Sequence, residues 1–200
     1  MTIAKYYTPS GRLIQRPYGT DKASYRTEAF AREEQEGENV EHEVEGDTSR
    51  SIYKTASGRK VYGGGGITPD YIVKWERQSA FASQLLSKGV FAEYKTWYMD
   101  QNGKRLREEY EKDLKRFLSD FQITDEMLHV FEALAKKKAV TIEKDQFEKD
   151  KGLITTIIKR EIAYTIWGNE GRFKVWHSVD NQFLKALTLF PEAEKIAGLR

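Results

Sequence analysis

Chemistry in this chain would have to come from a few scattered side chains. His42, His129 and His177 lie far apart, and none has a second His, Asp or Glu at a metal-ligand spacing. His129 is expected on a helix face and His177 in a turn. Ser10 beside Lys5 or Arg12, and Ser83 near Lys88, could be drawn as serine–lysine pairs. A serine becomes a nucleophile only with an aligned base and donors for the developing oxyanion. Ser10 instead sits between Pro9 and Gly11, where serine is common for backbone reasons. The run Gly63-Gly64-Gly65-Gly66 invites a phosphate-loop reading, but Ile67-Thr68-Pro69-Asp70 follows it rather than Lys-Ser/Thr and a helix. A crowded turn that only glycine can follow is the expectation. Lys136-Lys137-Lys138 closes a helix, where lysines complement the dipole. No residue is therefore assigned as catalytic, cofactor-binding or metal-ligating, and no cofactor is implied. Phe91, Tyr94, Trp97 and Tyr98 share one helix face, which reads either as core packing or as a peptide-docking groove.

The elements that must carry these residues divide by charge. Residues 1–16 hold Lys5, Arg12 and Arg16 with no acid; residues 28–47 hold nine acids against Arg32 alone. Thr2–Tyr7 and Arg12–Gln15 flank Thr8-Pro9-Ser10-Gly11, which predicts a hairpin, and Arg50–Lys54 with Arg59–Tyr62 predicts a second around Thr55-Ala56-Ser57-Gly58. A short strand is expected at Tyr71–Trp75. The acidic stretch between the hairpins reads as a polar surface insertion with a short helix near Ala29–Gln35. The rest is helical: Gln78–Lys88 ending at Gly89, Val90–Asp100 ending near Asn102-Gly103, Lys104–Phe121, and Asp125–Lys138 capped by Thr124. Thr141 is expected to cap a short turn to Lys149. Asp150 is expected to start the longest apolar helix, ending at Trp167-Gly168, and Asp180 to cap a last one stopped by Pro191. Helices 104–121, 125–138 and 150–167 should pack together and hold most of the stability. No exact internal repeat is read.

Composition narrows the class. The chain has 200 residues with no cysteine, 33 Lys+Arg against 31 Asp+Glu, and 32% charged residues. It is polar, yet ten Phe, eleven Tyr and four Trp supply the bulk for a core. Without cysteine there is no disulfide framework or thiolate site, and either redox compartment fits. No apolar run is long enough to span a membrane. A net charge of only +2 argues against a dedicated nucleic-acid binder. Strand-like sequence at the first residues, with no leader, suggests a piece of something longer.

Two segments are recognisable together. Ala4-Lys5-Tyr6-Tyr7-Thr8-Pro9-Ser10-Gly11-Arg12 resembles the strand-turn that follows the active site in carboxyl-terminal processing peptidases, also called tail-specific proteases. Gly65-Gly66-Ile67-Thr68-Pro69-Asp70 resembles the element that closes the same domain, and Val61-Tyr62 with the four glycines is similar to its Bacteroidetes-type form. Gly89-Val90-Phe91, Ile162-Ala163-Tyr164-Thr165-Ile166-Trp167-Gly168 and Lys185-Ala186-Leu187 resemble the helical C-terminal extension of those members. Only the acidic insertion, residues 17–57, matches nothing.

The resemblance implies an α+β chain. Residues 1–75 would be the last strands of a peptidase domain, with the insertion at 17–57, and residues 76–200 an α-helical extension. It also implies a parent hydrolase with a serine nucleophile, a lysine general base, a nearby glutamine and an upstream PDZ-like module. The Gly-Ser-Ala-Ser-like and Gly-Lys-Gly-like stretches that carry this chemistry do not occur here, so the chain is expected to be inert alone. The implied partners are the remainder of its own peptidase domain and the parent's protein or peptide substrates, with a homo-oligomer left open. The implied location is the periplasm or cell envelope, with an export signal upstream. The alternative, from a different class, is a non-catalytic helical interaction module that docks a partner on the Phe91–Tyr98 face.

Overall fold

The computed structural model describes residues 4–15, 27, 51–63, 71, 73 and 78–197. Most of the acidic insertion, its expected helix near 29–35, His42, the Gly-Ile-Thr-Pro-Asp element and most of the strand expected at 71–75 lie outside those residues. The fold is α+β and mostly helical. Its contacts form two units, Met1–Trp75 with Lys185–Arg200, and Glu76–Leu184. The last sixteen residues thus group with the β hairpins, not with the other helices.

In the first unit, both expected hairpins are present. Strands β1 (Ile52–Lys54) and β2 (Lys60–Tyr62) pair antiparallel with Tyr53 opposite Val61. Tyr7 and Leu13 form an isolated antiparallel bridge around the first turn. The two turns are built alike from the pattern Thr-x-Ser-Gly-Arg. Thr8 N–H donates to Arg12 O and Gly11 N–H to Thr8 O, as Thr55 N–H does to Arg59 O and Gly58 N–H to Thr55 O. In each, the threonine hydroxyl accepts from the arginine N–H and bonds the serine hydroxyl. Gly11 and Gly58 sit at φ 83 and 79, the left-handed position that a three-residue hairpin loop reserves for glycine. A short local repeat therefore exists that the sequence reading missed.

The second unit is a helical bundle. Helix α1 (Ala80–Ser87) starts at Ser79, whose hydroxyl accepts from Ala82 N–H. Helix α2 (Val90–Tyr110) runs straight through Asn102-Gly103, where a break was expected. Gly103 is buried, and the packing of Leu106 and Tyr110 beyond it outweighs the roughly 1 kcal/mol that a mid-helix glycine costs. The helix expected at 104–121 is instead cut at residues 111–113. Asp113 begins a separate helix, α3 (Leu114–Asp120), by accepting from Arg116 N–H. The reversal brings Tyr110, Phe117 and Phe121 together, with Phe117 and Phe121 stacked at 4.7 Å. Helix α4 (Asp125–Lys137) starts at Thr124 as expected.

Helix α5 (Lys144–Trp167) is the longest and begins at Lys144, not Asp150. Phe147 already packs in the core, so the turn expected to end at Lys149 is the first part of the same helix. Asp150 caps nothing. It is buried in mid-helix and accepts the Ser79 hydroxyl, tying α5 to the start of α1. The stripe Ile154, Ile157, Ile158 and Ile162 is buried, each side chain contributing on the order of 1.5–3 kcal/mol.

Gly168, at φ 62, separates α5 from α6 (Asn169–His177), a helix the periodicity did not reveal. His177 is accordingly the last residue of a helix rather than part of a turn. Asp180 caps α7 (Asn181–Thr188) by accepting from Gln182 and Phe183 N–H. Pro191 does not stop that helix; it lies in the first turn of a further one, α8 (Phe190–Ala197), where its missing N–H is harmless.

The α5–α6 contact is unusually close. A methyl group on Gly171 would lie 2.7 Å from the Ala163 carbonyl oxygen, a backbone atom with little room to yield. Gly171→Ala is therefore expected to destabilise the bundle by about 1–3 kcal/mol, although alanine is the better helix former. A denaturant midpoint at or above that of the unsubstituted chain would contradict this packing.

Candidate functional site

Ser10 has no base. Its hydroxyl bonds Thr8 Oγ1 at 2.8 Å as part of the turn, and Lys5 is exposed. Ser83 and Lys88 are both exposed on α1 and its end. His129 is exposed on α4, as expected, and His177 stacks between Phe173 and Phe183 with centroids 5.9 and 4.1 Å away. Among the described residues no group of three His, Cys, Asp or Glu side chains could hold a metal ion. Lys138 reaches across to Glu93 on α2 at 2.7 Å, and Lys136 and Lys137 are solvated.

The aromatic face of α2 turns inward. Phe91, Tyr94 and Tyr98 are buried, with Phe131 of α4 packed 5.0 Å from Phe91 and 5.5 Å from Tyr94. Of the four residues only Trp97, at 38% exposure, reaches solvent. The face is core, and the docking-groove reading of it is corrected: spacing alone put Trp97 with the others, whereas packing leaves it at the rim.

Tyr94 is fully enclosed, and among the described residues its hydroxyl meets no hydrogen-bond partner. Burial, assisted by neighbouring Tyr98, holds its phenol far above the ordinary value of 10.0. Tyr94→Phe removes an unsatisfied group and is expected to leave stability unchanged or raise it by about 1 kcal/mol. Tyr94→Ala is expected to cost about 3–5 kcal/mol. Near-native melting of the alanine variant would return the face to solvent.

The described residues of the bundle also form a half-open cavity of about 330 Å³ between α3, α5 and α6. Leu118, Ile123 and Val175 form an apolar wall; Gln122, Thr155, Thr156 and Ser178 supply polar atoms; Lys159 and Lys174 supply two ammonium groups. The amphipathic register of α5 creates this. Its isoleucines face the core, while Thr155, Thr156 and Lys159 lie half-buried beside them. Lys159 Nζ donates to Leu118 O at 2.8 Å and lies 5.6 Å from the Phe117 ring centroid. Burial pushes its pKa below the ordinary 10.5. Sequence reasoning missed this group, because its neighbours come from three separate helices.

A family of unknown function (DUF8443) matches residues 81–168 of the chain. The match runs from the start of α1 to the end of α5, so it covers the helices that hold the core but only part of the chain. No curated protein and no solved structure matches.

The depressed Lys159 gives a pH signature. The folded chain releases this proton before the unfolded chain does, so stability rises as pH climbs from the folded value toward 10.5. In denaturant titrations across that alkaline window the rise is expected to shrink in Lys159→Met. An unchanged pH dependence would mean the ammonium is fully solvated.

Proposed function

We propose that this chain is the C-terminal portion of a carboxyl-terminal processing serine peptidase, inert by itself, with a helical extension whose work is structural. The parent would cleave near protein C-termini by a serine–lysine mechanism in the periplasm or cell envelope. The observation that carries the reading is the convergence of the two resembling regions. Arg12 Nη1, at the end of the first, donates to the carbonyl oxygen of Tyr62, at the start of the second, 3.3 Å away. Tyr53 packs beside both Gly11 and Gly63. The two hairpins meet although a long acidic stretch separates them, which is what an insertion into one peptidase sheet requires.

The C-terminal residues add support. Lys185 Nζ lies 5.5 Å over the Tyr71 ring, and Tyr71 donates to Glu192 Oε2 at 2.5 Å. Tyr71 directly follows the Gly-Ile-Thr-Pro-Asp element, and its contacts with Lys185 and Glu192 support reading that element and the segment containing Lys185-Ala186-Leu187 together. Helices α7 and α8 bury no residue, and Phe183, Leu184 and Leu187 of α7 stay exposed. Such faces suit an extension that covers the rest of a peptidase domain or meets another subunit. They also favour the second reading, a helical interaction module, now through α7 and not through the Phe91–Tyr98 face.

No hydrolysis of casein or unstructured peptides by the purified chain is expected. Hydrolysis abolished by Ser10→Ala would overturn the assignment. The reading frame upstream of Met1 is expected to encode a serine-bearing and then a lysine-bearing peptidase stretch; a frame with neither leaves the interaction module as the better account.

A further inference from the structure

We propose that the cavity between α3, α5 and α6 binds a carboxylate that carries a short aliphatic group, held by Lys159. This is independent of the peptidase reading, because every residue involved lies within the helical unit. The cavity brings two cationic side chains together and has no acid in its lining. Lys174 is already paired with Glu170 at 3.0 Å, but that pair is exposed and spaced one helical turn, so it is weak and exchangeable. Among the described residues Lys159 has no carboxylate partner, and its one acceptor is the neutral Leu118 carbonyl. A half-buried ammonium with a single neutral acceptor keeps two N–H donors to offer, and an anion would offset its desolvation.

Shape and polarity narrow the ligand. The hydroxyl groups of Thr155, Thr156 and Ser178 already donate to the carbonyl oxygens of Gly152 and Val175. Gln122 Nε2 donates to Ser119 O and keeps one N–H, so the charged donors for the ligand come from the lysines, which suits one charged head and not a multiply charged anion. The wall of Leu118, Ile123 and Val175 asks for an apolar body beside that head. A volume of about 330 Å³ accommodates a group of leucine size with its carboxylate. The head could belong to a free acid or to the last residue of a chain.

The test is isothermal titration of the full chain with sodium isovalerate and with N-acetyl-leucine, which stand for those two sources. N-acetyl-leucinamide and inorganic phosphate serve as controls. Saturable binding of at least one carboxylate is expected, with the tighter of the two naming the source. Affinity is expected to fall roughly tenfold or more for the amide and in Lys159→Met, the size of one lost charge-assisted hydrogen bond. Should that variant melt too early to titrate, amide chemical shifts on the unsubstituted chain decide, and they are expected to move at Gln122, Thr155, Thr156 and Ser178. No saturable binding, equal affinity for the amide or for phosphate, an undiminished Lys159→Met, or shifts elsewhere would overturn the proposal.

Discussion

The helical unit depends on the burial of one face of α5. Ile154, Ile157, Ile158 and Ile162 form a continuous buried stripe, and α5 as a whole packs with α1, α2 and α6. A helix of 24 residues that must bury one stripe throughout cannot be broken at a polar residue without losing register on both sides. Asp150 shows the consequence. Carried into the interior by the helix around it, its carboxylate meets the hydroxyl of Ser79, which at the same time caps α1. A buried acid without such a donor would be strongly unfavourable, so the long helix and the first cap are mutually required.

The far end of α5 is secured differently. Trp167 Nε1 donates to Glu111 O at 2.9 Å and Arg107 donates to Thr165 O, which joins the ends of α2 and α5. Glu161 accepts from both Arg160 and Arg172, while Arg160 lies over Trp176 and Arg172 over Tyr164. The polar face of α5 is thus stitched to α6 as its apolar face is to α2. What remains between these seams is the Lys159 cavity, where the α5 side chains are half polar and α3 turns away after Asp120.

In the hairpin unit, local rules prevail. Thr-x-Ser-Gly-Arg supplies a hydroxyl acceptor, a second hydroxyl and a left-handed glycine in a span too short for tertiary context to matter, and the same hydrogen bonds appear twice. The resemblance to a peptidase strand-turn rests on this segment, and its chemistry is conformational. The Ser10 hydroxyl bonds Thr8 Oγ1 within the turn.

Those contrasts separate what was legible from what was not. The amino-acid sequence by itself determined the α+β class, both hairpins, the caps at Thr124 and Asp180, and the apolar stripe of α5, because each depends on residues within one or two turns of each other. It misplaced the ends of α2, α3 and α5 and passed over α6. Gly103 and Asp150 look like a break and a cap locally, yet Gly103 is buried within α2, Asp150 is buried in α5 and accepts from Ser79, and Gly171, which α6 packs closely against Ala163 of α5, gave no signal at all. The Phe91–Tyr98 face could be located but not assigned until Phe131 was seen to cover it. Lys159 was invisible for the same reason. An ammonium becomes unusual only when Leu118, Phe117 and the wall around Val175, distant along the chain, take water away from it, and only the tertiary structure brings them there.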